Sequence, residues 1–307
     1  MNKHNIFISG INGFIGKYLC NYLRAEYMVL PISRDYLSSI REKALLYSSL
    51  SPIPYAYIHL AGKAHDVQKQ SKVEEYYAVN TALTQSVFDD FLKSEAQVFI
   101  SLSSVKAVAD SISDVLSEDL IPNPLTHYGK SKRLAEEYIL ANLPKDKRVY
   151  ILRPCMVHGE GNKGNLNLLY NFVKKGIPYP LGAYDNKRSF LSVENLCFII
   201  KELIERRDVP SGIYHLADDQ PVATKDLIKL ISDITNKRVL IWETPKIIIN
   251  FIAKIGDFLP LPLNTERVRK MTENYVVSNQ KIKGVLGRNL PISAEDGLRK
   301  TIESFLK

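Results

Sequence analysis

Residues 8–19 read ISGINGFIGKYL. Three glycines, Gly10, Gly13 and Gly16, stand three apart between the apolar run Ile6–Ser9 and the helically spaced segment Lys17–Arg24. Glycines so spaced often form nothing more than a tight turn, but a position between a strand and a helix makes them a candidate phosphate cradle. The first glycine permits the sharp turn and the second lets backbone N–H groups approach a pyrophosphate. The third lets helix and strand pack closely, and the helix N-terminus adds partial positive charge. The stretch Gly10, Asn12, Gly13, Phe14, Ile15 and Gly16 is therefore expected to bind a dinucleotide.

Working outward, apolar runs at Tyr55–Leu60, Gln97–Leu102 and Val149–Leu152 alternate with helix-like stretches at Glu74–Lys93 and Gly129–Asn142. Strands that are apolar nearly throughout, alternating with helices, predict an α/β fold: a Rossmann-type, doubly wound parallel sheet covered on both faces. Met28–Ser33 is the expected second strand, and Pro31 inside it points to an irregular or edge position. The strand runs out into Ser33-Arg34-Asp35, where the adenosine ribose would be read. An acid there holds the 2′-hydroxyl of NAD and an arginine pairs with the 2′-phosphate of NADP. Arg34 favours NADP(H) over NAD(H), and Asp35 pulls the other way.

Beyond residue 160 the texture changes, with Gly, Pro and Asn at Gly159-Glu160-Gly161-Asn162, Gly176-Ile177-Pro178 and Pro180-Leu181-Gly182. This predicts a dinucleotide-binding domain over 1–160 and a smaller C-terminal α/β lobe over 161–307. Residues 187–206, a strand Arg188–Val193 and a helix Glu194–Glu205, are expected to return to the first domain. Tyr214–Leu216 and the C-terminal elements would then complete the lobe. Ile247–Leu263, IIINFIAKIGDFLPLPL, reads as a core or lid helix rather than a membrane-surface one, because Asn250, Lys254 and Asp257 interrupt it.

The chain has 307 residues, 45% hydrophobic and 24% charged, enough for a large buried core. No run approaches the roughly 20 apolar residues of a membrane span, so the expectation is a cytoplasmic protein without a membrane partner. Cys20, Cys155 and Cys197 lie far apart and in no metal-ligand spacing, which argues against a disulfide framework and a metal site. The formal charge of +8 favours an anionic partner. Basic residues are scattered and not interleaved with aromatics, which points away from nucleic acid and toward a small anionic ligand.

Residues 126–138, THYGKSKRLAEEY, place Tyr128 and Lys132 four apart at the start of a helix, so both project from one face. A phenol titrates too high for acid–base work at neutral pH, and an adjacent ammonium and a positively charged nicotinamide are both expected to lower it. Lys132 can also grip ribose hydroxyls. The strand FISLSSVKAV ends on Ser103-Ser104, at the carboxyl edge where open α/β sheets bind ligands. Ser104 is placed to hydrogen-bond a substrate oxygen while Tyr128 moves the proton.

The three motifs in this order resemble the extended short-chain dehydrogenase/reductase family of nucleotide-sugar epimerases, dehydratases and reductases. The resemblance continues through His59-Leu60-Ala61-Gly62, Asn80-Thr81, Arg153-Pro154-Cys155-Met156-Val157-His158-Gly159, Gly164-Asn165-Leu166 and Arg188-Ser189-Phe190-Leu191-Ser192-Val193. It implies that Ser33, Leu60, Ala61, Gly62, Asn80, Pro154 and Val157 line the cofactor, the last two beside the nicotinamide. It also implies that Asn165 and Arg188 hold the diphosphate of a UDP-sugar, with Lys106 on the substrate side, and that the chain forms a homodimer. Dehydratases of the family carry an acid pair where this chain has Val105 and Lys106, which disfavours dehydration.

The phrases SSVKAV, 161–196 and GVLGRNLPISAEDGL are most similar to the branch that reduces UDP-4-keto-6-deoxy-HexNAc sugars for bacterial surface polysaccharides. The neighbouring branch is the 4-epimerases, which keep their NAD bound. A non-enzymatic NADP(H)-sensing regulator is the third reading, and the intact Ser104, Tyr128 and Lys132 argue against it. Among the remaining conspicuous residues, His127, His158 and Trp242 read as packing, Cys155 as an inert thiol, and Lys201–Asp208 as a solvated helix end.

Overall fold

A computed structural model describes residues 3–33, 53–63, 72–162, 165–259 and 264–307, with the side chain of Asn165 outside the description. In chain order its strands are β1 (Asn5–Ser9), β2 (Met28–Ile32), β3 (Pro54–His59), β4 (Val98–Leu102), β5 (Val115–Leu116) and β6 (Arg148–Pro154). They continue with β7 (Met156–His158), β8 (Lys187–Arg188), β9 (Phe190–Ser192), β10 (Gly212–Leu216), β11 (Val222–Ala223) and β12 (Val276–Val277). The helices are α1 (Phe14–Leu23), α2 (73–93, with a π turn over Tyr77–Ala82), α3 (His127–Ala141), α4 (Asn165–Lys174) and α5 (Val193–Glu205). They are followed by α6 (Thr224–Thr235), α7 (Lys246–Phe258), α8 (Thr265–Thr272), α9 (Gln280–Leu286) and α10 (Ala294–Ser304).

Six strands form one parallel sheet in the order β10-β6-β4-β3-β1-β2. Strand periodicity of two sorts its side chains onto two faces. Ile6, Ile8, Ala56, Ile58, Val98, Ile100, Tyr150 and Leu152 meet Leu19 and Leu23 of α1 and Leu196, Ile199 and Ile200 of α5. Tyr57, Phe99, Val149 and Ile151 on the other face meet Val87, Phe88 and Phe91 of α2 and Ile139 of α3. Burial on both sides explains why these strands read as continuous apolar runs. Pro31 is tolerated because β2 is the last described strand of the sheet, where its missing N–H interrupts no ladder.

A third apolar cluster, including Leu166, Tyr170, Tyr179, Phe190, Ile228 and Leu298, is built after residue 165. One assignment is corrected here. Tyr214–Leu216, expected to complete the second lobe, instead belongs to β10, which pairs in parallel with Tyr150–Pro154 and extends the main sheet. The expected strand Arg188–Val193 is two short strands, because β8 pairs with β11 while β9 pairs with β7.

The core reading of 247–263 holds for one face only, where Ile249 and Ala253 join the third cluster. Only Ile249, Ala253 and Gly256 of α7 are buried. Ile247, Ile248, Phe251, Ile252, Ile255 and Phe258 face solvent, as does Trp242 before the helix. Residues 260–263 lie outside the described residues. No helix among the described residues is long and apolar enough to cross a membrane.

Candidate active site

The glycine turn sits at the carboxyl edge of the sheet, where the strand order reverses between β1 and β3. Gly10 has φ +72°, and a Cβ there would stand 2.7 Å from the Ala61 nitrogen, so the loop after β3 can press against it. A Cβ on Gly16 would stand 2.3 Å from the Gly10 carbonyl oxygen, so α1 docks directly on the turn. Gly13 caps α1 with no side-chain hydrogen bond, and Asn12 and Gly13 are exposed. The first N–H groups of α1 are thus not claimed by a capping side chain, while Phe14 and Ile15 are half-buried behind them. These residues fit the pyrophosphate of a dinucleotide. Ser33 is exposed at the end of β2, and Arg34 lies outside the described residues.

Beneath the turn, buried His59 joins β1, β3 and α2. Thr84 Oγ1 donates to the Asn80 carbonyl at 2.8 Å, so it accepts from His59 Nε2 at 3.0 Å, and His59 Nδ1 then accepts from Ser9 Oγ at 2.7 Å. The Ala61 N–H completes the chain by donating to Ser9 Oγ at 3.2 Å. Burial is the largest cause holding His59 at about 3, so the ring is neutral. Leu60, Ala61 and Gly62 are fixed in this way over the cradle. Asn80, on the π turn, accepts from the Lys63 N–H at 2.8 Å and donates to Ser131 Oγ at 3.0 Å, tying the same loop to α3.

On α3, Tyr128 and Lys132 do share a face. Thr126 caps the helix by accepting from the Gly129 N–H. Asp110 accepts from the Leu125 and Thr126 N–H groups and from Thr126 Oγ1. Gly129 lacks a Cβ that would stand 2.3 Å from the Lys106 carbonyl oxygen, so α3 lies against the Ser104–Lys106 turn. There the Ser104 side chain lies close enough to Tyr128 to act on its phenol, and Ser104 Oγ accepts from the Lys106 N–H at 3.2 Å. Buried Lys132 donates from Nζ to the Leu102 carbonyl at 2.9 Å, and a Cβ on Gly62 would stand 2.9 Å from that nitrogen. Ser104, Tyr128, Lys132 and Gly62 are therefore neighbours at one sheet edge.

The electrostatics of the pair are set mainly by burial. Burial raises the Tyr128 phenol above its usual value, Ser104 is the cause that lowers it, and Lys132 is not among the causes. Lys132 is itself brought down to about 8 by burial, against the raising effect of Glu136.

Sequence reasoning missed the support below. Glu136, one helical turn after Lys132, accepts from Ser103 Oγ at 2.5 Å and from Arg153 Nε and Nη2 at 2.9 and 2.6 Å. Glu136 and Arg153 are almost fully buried, so this two-pronged pair locks α3 to β6 and to the serine turn. The i, i+4 spacing from Lys132 was the available signal.

On the substrate side, Lys106 donates from Nζ to the Asp110 carbonyl at 2.7 Å and lies 4.1 Å from the centroid of the Tyr275 ring. Tyr275 Oη donates to the Ala109 carbonyl at 2.7 Å. Arg188 lies in β8 and donates to the Lys270 carbonyl. Burial lowers both Lys106 and Arg188, and each counts the charge of Glu273 as an opposing cause. Tyr275 and Glu273 carried no recognisable signal in the sequence.

Pro154 ends β6, and Val157 in β7 is half-buried, its carbonyl accepting from Asn162 Nδ2 at 2.7 Å. Asn165 begins α4. The Cys155 thiol is raised well above its usual value by burial first and Asp218 second. His158 is buried, with Nδ1 2.9 Å from Thr301 Oγ1, and exposed His127 lies 3.1 Å from Tyr77 Oη. Trp242, expected in the core, is 53% exposed.

A "UDP-glucose 4-epimerase" of Vibrio cholerae is 28% identical over 99% of this chain and 96% of its own length. A "UDP-2-acetamido-2,6-beta-L-arabino-hexul-4-ose reductase" of Pseudomonas aeruginosa is 30% identical over 53% of this chain and 38% of its own. The solved structure described as "RMD from Pseudomonas aeruginosa complexed with NADPH" superposes with a TM-score of 0.74, covering 98% of each chain at 22% identity, and so shares the fold. The profile of the NAD dependent epimerase/dehydratase family matches residues 6–217, which span the cradle, the serine turn and the tyrosine helix. The chain belongs to that family.

Proposed function

We propose that this enzyme is an NAD(P)H-dependent oxidoreductase acting at C4 of a UDP-linked 6-deoxyhexosamine used for bacterial surface polysaccharide. The observation that carries the reading is the close approach of the Tyr128 helix to the Ser104–Lys106 turn, beside the buried Lys132 and the glycine cradle. The cofactor, when bound, supplies hydride to a C4 ketone or takes it from the alcohol. Tyr128 Oη gives its proton to the C4 oxygen, and Ser104 Oγ holds that oxygen in place. Lys132 Nζ, held by the Leu102 carbonyl, grips ribose hydroxyls.

Arg188 and Lys106 attract the diphosphate end of the substrate, joined by Asn165 at the start of α4. Val105 is apolar and Lys106 cationic, so neither supplies the acid pair of a dehydratase. Preference for NADP(H) rests on Arg34, and assembly as a homodimer is part of the same proposal.

The reductase named among the relatives supports the first reading, and the 4-epimerase supports a second in which NAD stays bound and the hydride returns to the opposite face. Purified protein incubated with NADPH and a UDP-4-keto-6-deoxy-HexNAc decides between them. Stoichiometric loss of NADPH absorbance with appearance of the C4 alcohol is expected. Retained NAD released only on denaturation, with interconversion of UDP-hexosamines and no net cofactor use, would establish the epimerase instead.

A further inference from the structure

We propose that α7 docks the protein on the surface of a membrane rich in anionic lipid. At about 100° per residue, α7 divides into three sectors. Ile249, Ala253 and Gly256 point into the protein. Lys246, Asn250, Lys254 and Asp257 form a polar edge. The third sector, Ile247, Ile248, Phe251, Ile252, Ile255 and Phe258, covers about 140° and faces outward. Ile247 is 83% exposed, Phe251 65% and Phe258 91%.

Isolated exposed apolar residues are ordinary, but six large ones in one contiguous sector mark a surface made for contact. The helix is 13 residues long, about 20 Å, and too short to span a bilayer. A short helix with one broad apolar face and lysines at its polar edge suits the interfacial plane, where the rings enter the acyl boundary and the ammonium groups stay with the headgroups.

The surrounding charge selects the occupant. Residues 237–272 hold seven basic and three acidic side chains. That is an excess of four positive charges, and two of the acids are held in place locally. Asp257 accepts from the Thr265 N–H and from Thr265 Oγ1, and Glu266 holds Lys270 at 2.7 Å. A second copy of the chain, meeting this face through a two-fold axis, would set two equal positive surpluses against each other. An anionic lipid surface instead complements both the apolar sector and its basic border. The docked face also lies one helix from the substrate side, since Asp257 binds the start of α8 and the Lys270 carbonyl of α8 holds Arg188.

The test is flotation of the full chain with vesicles of phosphatidylcholine alone or mixed equally with phosphatidylglycerol. The wild type is expected to float with the mixed vesicles and much less with phosphatidylcholine, and added salt should weaken the binding. The pair Phe251→Glu and Phe258→Glu should cut partitioning at least about tenfold while keeping the melting temperature and turnover of soluble substrate. The pair Lys246→Glu and Lys254→Glu leaves the apolar sector intact, and should lose binding to the mixed vesicles as well. The proposal is overturned if the wild type floats with neither vesicle, if it floats equally with both, or if the variants float like the wild type. It is also overturned if the phenylalanine variant converts an oligomer to a monomer in light scattering without any vesicle binding, which would assign the face to a second copy.

Discussion

A methyl group added to Gly129 would stand 2.3 Å from the carbonyl oxygen of Lys106. The residue between the two reactive hydroxyls of α3 and the serine turn is thus a spacer with no room for a side chain. Gly129→Ala should push the helix start away from Ser104. A displacement near 1 Å costs on the order of 100-fold in kcat/KM. Steady-state kinetics and a thermal melt should show both activity and melting temperature falling, and a fully active Gly129→Ala protein would contradict the close approach.

Tyr128→Phe keeps the ring and its edge-on contact with Tyr76, 6.3 Å between centroids, and removes only the proton donor. Turnover should drop about 10²- to 10⁴-fold while dinucleotide binding and the melting temperature stay near wild type. Ser104→Ala should give a smaller loss. A Tyr128→Phe enzyme with ordinary turnover would remove the phenol from the chemistry.

Glu136→Gln leaves the guanidinium of Arg153 buried without its counter-charge. Breaking one partner of such a pair costs about 3–5 kcal/mol, read as a lower urea midpoint. Replacing both, Glu136→Gln with Arg153→Met, should recover part of that loss, because no unpaired charge remains. A single variant as stable as wild type would show that the pair is not holding α3 to the sheet.

Acid should unfold the protein through His59. Its ordinary value is 6.5, and burial holds it at about 3 in the folded chain. Between those values the unfolded chain binds a proton that the folded chain refuses, so this contribution to stability is complete above about 6.5 and falls as the pH falls toward 3. Melting temperatures measured across that window should decline for the wild type and decline less steeply for His59→Gln, which carries no titrating ring.

Lys132 gives a second pH dependence, in activity. Its ammonium is held at about 8, so kcat/KM should fall as the pH rises through that value. Lys132→Arg, which stays charged, should lose that alkaline limb even if its overall rate is lower. An unchanged alkaline limb in Lys132→Arg would assign the titration to another group.

Much of the architecture was legible because it depends on local pattern. Ile6, Ile8, Ile58 and Ile100 are apolar on a strand buried on both sides, and Gly10 to Gly16 repeat at the spacing a strand-turn-helix needs. Tyr128 and Lys132 were readable because one helical turn separates them. Tyr214–Leu216 was misassigned because its partner strand lies far away in the chain, and register across such a distance leaves no trace in a short run. The same holds for Tyr275, whose ring meets Lys106 only after the last third of the chain folds back. The outward face of α7 was misread for another reason: helical periodicity says which residues share a face, and does not say whether that face looks inward.

The pairing of β12 with β5 and the Tyr275 ring over Lys106 have a consequence for biosynthesis. A ribosome that has released only the first 270 residues has already made every hydroxyl and ammonium of the proposed reaction. It has not yet made the cover over Lys106 or the strand that anchors it. A premature stop codon just before that strand should therefore cost more than the cover, because Ile282 and Leu286 of the sheet's core and Leu298 and Ile302 of the third cluster are lost with it.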